Sequence, residues 1–470
     1  MIKVALPTGD LRRATGELLE RLGFRLEGYE PGSRLMRPRM PDRPDVALRI
    51  FREKDIPIQI ALGNYDVGIC GAVWIEELLR RYPSDAVVRL RPLGYGVTEV
   101  YAATSPDLNG GGQRWNRLAD VRIVSEFEEL AEAFAIGARL PRYRVLPVHG
   151  ATEAYLPEDA DVAILAATGA AEVRGKGMEP LFRLFAGGAW LIAHRRSVQE
   201  KDLAAVLRPF MDLPPAPPEP GLAIPRLPAP DARTLRRPAP AADVVRLAVP
   251  DGHQQPHAVA ALAAAGFRFE GYDEEAFVRR PRSGVPGLEV KVVRPQDMPQ
   301  HVALRHFDLA ITGRDVLLDH LYAFPASPVA EVVDLGRSPY DLYAVVDGAL
   351  PAETLEEAVR YWRGQGRGTI RVASEFPHVA DHYARHRHLG RYQVIPIAGA
   401  SEGFVPEDAD LLIEGSETGR TIRANNLKVI DTVFRSTNCL IAHRGAASGR
   451  KAALMREIVE RFRQSVGAAV

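Results

Sequence analysis

The sequence Asp408–Ile430, DADLLIEGSETGRTIRANNLKVI, has the pattern of one unit of an α/β protein. A short apolar run, typical of a buried strand, leads into a polar turn that contains Gly415 and Gly419. Other apolar runs, such as Val162–Leu165, alternate with helical stretches such as Leu11–Leu22. This alternation predicts α/β layers with largely parallel sheets, whose ligands bind where loops follow the carboxyl ends of strands.

The pattern occurs twice along the chain. Each copy opens with an apolar strand, and several runs then recur in the same order: GFRLEGY at 23–29 and GFRFEGY at 266–272, PEDAD at 157–161 and 406–410, and LIAHR at 191–195 and 440–444. A repeat of this length predicts two tandem modules that share one fold.

A proline-dense segment separates the two copies. It contains the runs PPAPPEP, PRLPAP and RRPAP, and this composition favours an extended, semi-rigid connector that does not pack into a core. We therefore predict a first module at 1–212, a linker at 213–243 and a second module at 244–470.

The composition excludes several classes of protein. The chain has 470 residues, with 60 Lys and Arg against 60 Asp and Glu, so its net charge of zero gives no overall attraction to nucleic acid. Its 2 cysteines cannot form a disulfide framework, which predicts a reducing, cytoplasmic location. No apolar run approaches the ~20 residues that span a bilayer, so neither a membrane anchor nor a signal peptide is predicted.

The turn in the second copy has the chemistry of an anion-binding loop. Its glycines allow several backbone amides to face one point, and the hydroxyls of Ser416, Thr418 and Thr421 add donors for a phosphate. Arg420 and Arg423 supply positive charge. The alternative interpretation is a polar surface turn that only closes a βα unit, and the loop by itself leaves both interpretations open.

Two acidic residues precede this loop. Asp410 and Glu414 have the wrong sign to bind a phosphate, but carboxylates can accept hydrogen bonds from both hydroxyls of a ribose. We therefore expect a sugar site beside the phosphate site.

The run SETGRTIRANNLKVI closely resembles the phosphoribosyl-pyrophosphate loop of ATP phosphoribosyltransferase, the first enzyme of histidine biosynthesis. Three further segments resemble successive signatures of that family: VRPQDMP at Val293–Pro299, DLAITGRD at Asp308–Asp315 and GASE at Gly399–Glu402. The resemblance covers the second copy and, more weakly, the first. The chain therefore looks like two short-form catalytic subunits fused in tandem.

The resemblance implies a fold and a reaction. Each module would be two-lobed, like a type II periplasmic binding protein, with ATP and phosphoribosyl pyrophosphate meeting between the lobes. Adenine N1 would displace pyrophosphate from the ribose to give N1-(5-phosphoribosyl)-ATP, with Mg²⁺ carried by the substrate phosphates. No metal site made by protein side chains alone is expected, and His378, His382 and His386 are predicted to form a solvated helix face.

The resemblance also implies roles for individual residues. The expected catalytic carboxylates, which would address the ribose, are Glu402, Asp410 and Glu414. The expected residues around the 5-phosphate are Ser416, Glu417, Thr418, Gly419, Arg420 and Thr421. The candidates for the nucleotide or the cleft wall are Arg294, Thr312, Gly313 and Arg423.

The first copy lacks much of the loop. Its corresponding stretch is Asp161–Gly169, DVAILAATG, in which Leu165 takes the place of Glu414, and alanines follow in the places of Arg420 and Thr421. We therefore predict that the first module binds a sugar phosphate poorly and acts as a structural or regulatory partner. We also expect the two modules to pair within the chain, because short-form subunits pair across a two-fold axis.

Both copies depart from the family pattern at their first turn. The family usually has a Lys-Gly-Arg turn facing the anionic ligands, whereas the turns here are PTGD at 7–10 and PDGH at 250–253. A carboxylate in place of a cation opposes anion binding, and Arg294 or Arg314 could compensate. This departure keeps open a second function, a non-catalytic regulatory protein that binds a nucleotide or sugar phosphate. A regulatory subunit and a higher oligomer also stay open.

Overall fold

The computed structural model describes residues 1–109, 114–216, 219–227, 242–445 and 447–467. The strands of the first module are β1 (Ile2–Pro7), β2 (Val46–Phe51), β3 (Val67–Gly71), β4 (Val87–Pro92), β5 (Thr98–Thr104), β6 (Val121–Ser125), β7 (Tyr143–Pro147), β8 (Val162–Ala167), β9 (Glu179–Gly187) and β10 (Ala189–His194). Its helices are α1 (Leu11–Arg21), α2 (Ile56–Ala61), α3 (Ala72–Arg81), α4 (Pro106–Asn109), α5 (Glu128–Gly137), α6 (Ala170–Gly175), α7 (Arg195–Glu200) and α8 (Ala204–Met211).

The second module repeats this order with one added hairpin. Its strands are β11 (Val245–Pro250), β12 (Phe269–Tyr272), β13 (Phe277–Ser283), β14 (Leu288–Val293), β15 (Leu309–Gly313), β16 (Val329–Asp334), β17 (Tyr340–Asp347), β18 (Ile370–Ser374), β19 (Tyr392–Pro396), β20 (Leu411–Ser416), β21 (Leu427–Ser436) and β22 (Asn438–His443). Its helices are α9 (Gln255–Ala264), α10 (Met298–Ala303), α11 (Arg314–Ala323), α12 (Leu355–Gly364), α13 (Pro377–His386), α14 (Arg420–Ala424) and α15 (Gly449–Gly467). Within the described part of the chain, no helix is both long and apolar enough to cross a bilayer.

Each module folds into two lobes, and each lobe is built on one 5-stranded sheet. The sheet orders are β2-β1-β3-β10-β4 and β7-β6-β8-β5-β9 in the first module, and β14-β11-β15-β22-β16 and β19-β18-β20-β17-β21 in the second. In every sheet a single strand runs against the others, namely β10, β5, β22 and β17. The prediction of two-lobed α/β modules with largely parallel sheets is confirmed.

The two copies share the same strand register. Strand β1 pairs with β2 up to Pro7 opposite Phe51, and β11 pairs with β14 up to Pro250 opposite Val293. The N–H of Thr8 then donates to the carbonyl of Phe51 at 2.8 Å, and the N–H of Asp251 donates to that of Val293 at 3.3 Å, so both first strands end at the same place. In the second module, the loops that follow these strand ends line the space between the lobes, with Asp251 after β11 and Arg294 after β14.

The first lobe of each module packs against the second lobe of the other module. Phe51 meets Phe404 nearly edge-on, with ring centroids 4.9 Å apart, inside a buried apolar cluster drawn from both modules. A second such cluster joins Tyr155 of the first module with Phe307 of the second, whose ring centroids are 6.4 Å apart. Apolar burial of this kind is the main favourable term in such an association.

Polar contacts across the interface come in matching pairs. Asp55 accepts a hydrogen bond from the backbone N–H of Ala398 at 3.0 Å. Asp297, at the equivalent position of the second module, accepts one from the N–H of His149 at 3.1 Å. Such reciprocity is the mark of an isologous interface between two related halves.

The described part of the linker packs against the first module. Leu222 and Ile224 contact the apolar cluster of that module's second lobe. Glu219 accepts hydrogen bonds from the N–H of Gly188 at 2.7 Å and from Trp190 Nε1 at 2.6 Å. The prediction that the linker does not pack into a core is therefore wrong here, because apolar residues stand among the prolines. The linker residues 217–218 and 228–241 lie outside the described residues.

Candidate active site

A cleft of about 440 Å³ lies between the two lobes of the second module. Loops that follow the carboxyl ends of strands form most of its walls, as expected for α/β sheets. The lining residues are Asp251, Gly252, His253, Gln254, Arg294, Pro295, Gln296, Asp315, Val316, Ser338, Tyr340, Glu375, Phe376, Glu414, Gly415, Ser416 and Glu417.

The predicted phosphate loop lies at the rim of this cleft. Strand β20 ends at Ser416, and α14 begins after Gly419, whose φ of +65° is the left-handed conformation that glycine adopts readily. The N–H of Gly419 donates to Ser416 Oγ at 2.8 Å, which closes the turn. Arg423 donates to the carbonyl of Thr418 at 2.8 Å, and Glu417, Thr418 and Arg423 are exposed. The turn is therefore open to a ligand.

Three carboxylates meet behind the loop. Ser401 Oγ donates to Glu414 and lies 3.4 Å from Glu402 Oε2. Burial, followed by the charges of Glu375 and Glu402, raises the pKa of Glu414 to about 8. Burial also raises the pKa values of Glu375 and Glu402. Because three acidic side chains share this pocket, a ligand that offers a cation or hydroxyl donors would be favoured there.

Asp410 does not belong to this cluster. It precedes β20, at the opposite end of the strand from the cleft, and its side chain is 4% exposed. Its carboxylate accepts from the backbone N–H of Arg371 at 2.9 Å and forms ion pairs with Arg371 and Arg367 at 3.0 and 3.4 Å. The prediction of a ribose-binding role for Asp410 is therefore wrong, because both oxygens hold the start of the strand together.

Thr312 and Gly313 lie behind the cleft wall rather than on it. Thr312 is fully buried, and its hydroxyl donates to the carbonyl of Pro295 at 3.0 Å. A Cβ on Gly313 would lie 2.2 Å from an Asp315 oxygen and 2.9 Å from Gln254 Nε2. The expectation that these two residues face the ligand is corrected: they position the neighbours that line the cleft.

The carboxylate that replaces a cation in the first turn is neutralised by arginines. Asp251 is 4% exposed, and it accepts from Arg279 at 2.7 Å and from Arg294 at 3.2 Å. Arg294 also lines the cleft, as the sequence predicts. Arg314 is instead paired with Glu331 at 2.6 Å, so it does not compensate for the lost turn.

A cation from the first module approaches the second module's carboxylates. A Cβ built on Gly399 would lie 2.9 Å from Arg52 Nε and 2.8 Å from Glu375 Oε1. The positive charge of Arg52 is also the strongest influence lowering the pKa of Glu375 against its burial. Sequence reasoning missed Arg52, although the repeat aligns it with Arg294 and thereby offered a signal.

The first module's own loop is occupied by its own side chains. Leu165, in place of a carboxylate, is 5% exposed within the apolar cluster. Glu172 accepts from both the N–H and the hydroxyl of Thr168 at 2.8 Å. Glu153, the equivalent of Glu402, is ion-paired with Arg279 of the second module at 2.6 Å. These contacts remove the donors and acceptors that a sugar phosphate would need.

Fold and site together define a duplicated two-lobed α/β module, with a hydroxyl-rich loop and a carboxylate cluster in one cleft. The family model described as "HisG: ATP phosphoribosyltransferase" matches residues 52–212 and 294–464, most of both modules. The chain belongs to the ATP phosphoribosyltransferase family.

Individual relatives each match about half of the chain. An ATP phosphoribosyltransferase of Moorella thermoacetica is 34% identical over 210 residues, covering 43% of this chain and 85% of that protein. One from Mesorhizobium japonicum is 25% identical over 233 residues, covering 48% of this chain and all of that protein (100%). A solved ATP phosphoribosyl transferase (HisG:HisZ) complex from Thermotoga maritima shares 19% identity and a TM-score of 0.38 over 48% of this chain and 100% of the matched chain.

Proposed function

We propose that the second module condenses ATP with phosphoribosyl pyrophosphate to N1-(5-phosphoribosyl)-ATP and pyrophosphate, the first step of histidine biosynthesis. The observation that carries this proposal is the pairing, in one cleft, of the open loop at Ser416 with the buried carboxylate of Glu414. The first module lacks both features, since Leu165 takes the place of Glu414 and the side chain of Glu172 occupies the loop by accepting from Thr168. Family membership supports the reaction, and the features of the cleft support its assignment to the second module.

In this proposal the carboxylates serve the sugar. Glu402 accepts a hydrogen bond from a ribose hydroxyl, and Glu414, whose raised pKa keeps it protonated near neutral pH, donates one. Glycosyl transfer passes through a state with oxocarbenium character, and the carboxylates of Glu375 and Glu402 stabilise the positive charge that develops on the ribose. Ser416, Thr418 and Thr421 hold the 5-phosphate, with Arg420 and Arg423 on the exposed side of the turn.

The departing pyrophosphate requires positive charge. In this proposal phosphate oxygens are bound by Arg294, which lines the cleft, and by Arg52 of the first module, which lies beside Gly399 near Glu375. Mg²⁺ enters with the substrate, and the oxygens of Glu375 and Asp315 are the hard donors that this ion prefers. With Mg²⁺ bound, the substrate supplies charge neutralisation that the lost Lys-Gly-Arg turn does not.

The first module acts in this proposal as a structural partner, and the two modules form an intramolecular pseudo-dimer. It supports the phosphate loop directly: Asn425, which ends α14, accepts from the N–H of Met36 at 2.8 Å and donates to the carbonyl of Arg34 at 3.1 Å. A regulatory subunit, a higher oligomer, the domain boundaries and a cytoplasmic location stay predictions.

Initial-rate measurements with ATP, phosphoribosyl pyrophosphate and Mg²⁺, following adenine absorbance, test the proposal. We expect Glu375→Gln and Arg420→Ala to lower kcat/KM by about 10- to 100-fold, the loss of one charge-assisted hydrogen bond. Glu126 is the first module's equivalent of Glu375, so Glu126→Gln is the matched control and should leave the rate unchanged. Sugar-phosphate binding without turnover would instead select the non-catalytic regulatory protein.

A further inference from the structure

Three potential metal ligands from both lobes meet at the mouth of the second module's cleft. His253 lies in the turn after β11, His257 lies on α9, and Glu417 follows β20 in the phosphate loop. One ligand atom from each lies within 4.8 Å of the others, and His253 Nε2 is 3.4 Å from Glu417 Oε1. The two histidines belong to the first lobe and the glutamate to the second.

The spacing of these atoms suits a transition-metal ion. Ligand atoms around tetrahedral zinc lie about 3.3 Å apart, because each bond is about 2.0 Å long. His253 lies four residues before His257, in the turn that leads into α9, and the centroids of their rings are 5.9 Å apart. His253 and Glu417 are exposed, so small side-chain rotations complete the geometry.

The ligand types favour zinc over the magnesium carried by the substrate. Two imidazoles with one carboxylate suit Zn²⁺, Co²⁺ or Ni²⁺, whereas Mg²⁺ prefers oxygen ligands and retains its waters. The set is also confined to the second module, because the repeat places Asp10 and Ala14 where the histidines stand. The site therefore accompanies the loop that the proposed function uses.

We propose that a divalent transition-metal ion, Zn²⁺ in the first instance, binds His253, His257 and Glu417 and ties the two lobes together. The ion holds the first lobe against the loop that carries the phosphate-binding hydroxyls. Substrate exchange requires the lobes to separate, so the bound ion lowers kcat. This inhibitory effect rests on the proposed function, whereas binding of the ion does not.

Titration of the full chain with Co²⁺ tests the site without an activity measurement. We expect one equivalent to bind with the visible absorption of four-coordinate Co²⁺, and Zn²⁺ to displace it. His257→Ala should abolish this absorption, and Glu417→Gln should weaken binding at least about 10-fold, a typical loss even for outer partners of a metal site.

A second histidine pair provides the matched control. His382 and His386 on α13 have the same spacing, and their stacked rings have centroids 5.9 Å apart. His382→Ala should therefore keep the Co²⁺ absorption. The proposed site would be overturned by any of three results: loss of the Co²⁺ absorption in His382→Ala, persistence of that absorption in His257→Ala, or its absence from the unmodified chain.

Turnover in excess Mg²⁺ tests the inhibitory role separately. Zn²⁺ should lower kcat of the unmodified chain, a zinc-selective chelator should restore it, and His257→Ala should keep its rate in both conditions. Bound Zn²⁺ that leaves kcat unchanged would overturn the tie between the lobes. Turnover without Co²⁺ binding refutes only the metal site, and Co²⁺ binding without turnover refutes only the proposed reaction.

Discussion

Replacing Gly399 by alanine should move Arg52 of the first module away from the second module's carboxylates. The φ of Gly399 is +119°, and an added Cβ would lie 2.9 Å from Arg52 Nε and 2.8 Å from Glu375 Oε1. Carbon atoms do not approach polar side-chain atoms this closely, so the arginine must give way. Gly150 is the equivalent residue of the first module, with a φ of +117° and Arg294 Nε at an ordinary 3.5 Å.

Comparing the two glycine variants separates the free-energy cost of backbone strain from the cost of displacing Arg52. Both Gly399→Ala and Gly150→Ala impose similar backbone strain, a cost of about 1–3 kcal/mol in stability. Only Gly399→Ala also displaces the cation, and the proposed hydrogen bond from Arg52 to a phosphate oxygen is worth about 1.5–3 kcal/mol. If Arg52 binds the departing pyrophosphate, kcat/KM should fall about 10- to 100-fold in Gly399→Ala alone.

Initial rates and thermal unfolding of both variants check this prediction. Comparable losses of unfolding temperature with a selective loss of kcat/KM in Gly399→Ala would support the cross-module role of Arg52. Equal kinetic losses in the two variants would refute it, because the effect would then come from backbone strain. A normal rate in Gly399→Ala with lowered stability would refute it as well.

Three further predictions concern charge, packing and the linker. Folding raises the pKa of Glu414 from 4.5 to about 8. Its contribution to stability is therefore fully present below pH 4.5 and is lost as the pH rises to about 8. In urea unfolding, Glu414→Gln should flatten the dependence of the unfolding free energy on pH. Phe404→Ala should cost about 3–5 kcal/mol of unfolding free energy, whereas Tyr361→Ala, at a side chain that is 38% exposed, should change it by about 0.5 kcal/mol at most. Glu219→Ala leaves Trp190 Nε1 without its acceptor and should speed limited proteolysis of the linker.

Local pattern was enough to predict the α/β layers and the polar turn, whereas the two lobes and the phosphate-binding role of the turn came from the family resemblance. The alternation of apolar runs and helical stretches is a property of neighbouring residues, and so is the hydroxyl-rich turn around Gly419. Strand β20 and the turn after it lie where the sequence predicts them. The reversed strand in each sheet was not predicted, because it depends on where the chain crosses between lobes.

The errors concern contacts between residues far apart in the chain. In the sequence Asp410 has the position expected of a residue that binds ribose. Its partner Arg371 lies 39 residues away and donates hydrogen bonds to both of its carboxylate oxygens. Arg52 was not assigned to the second module's carboxylates, because the repeat aligns it with Arg294 but does not show that it reaches across to the other module. The linker was misread for a similar reason, since Ile224 packs against Gly137 of a helix that is distant in sequence.

The loop of the first module is filled by its own side chains, but the module keeps the surfaces that face the second module. Leu165 and Glu172 fill its loop, whereas Arg52, Asp55 and Phe51 still contact the neighbouring module. Removing a carboxylate from an unused cleft costs little, but removing a buried interface aromatic leaves a cavity. Substitutions in the first module are therefore costly on the face that contacts the second module and cost little in its own cleft. A fused partner can drift into a scaffold in this way while the remaining site still depends on it.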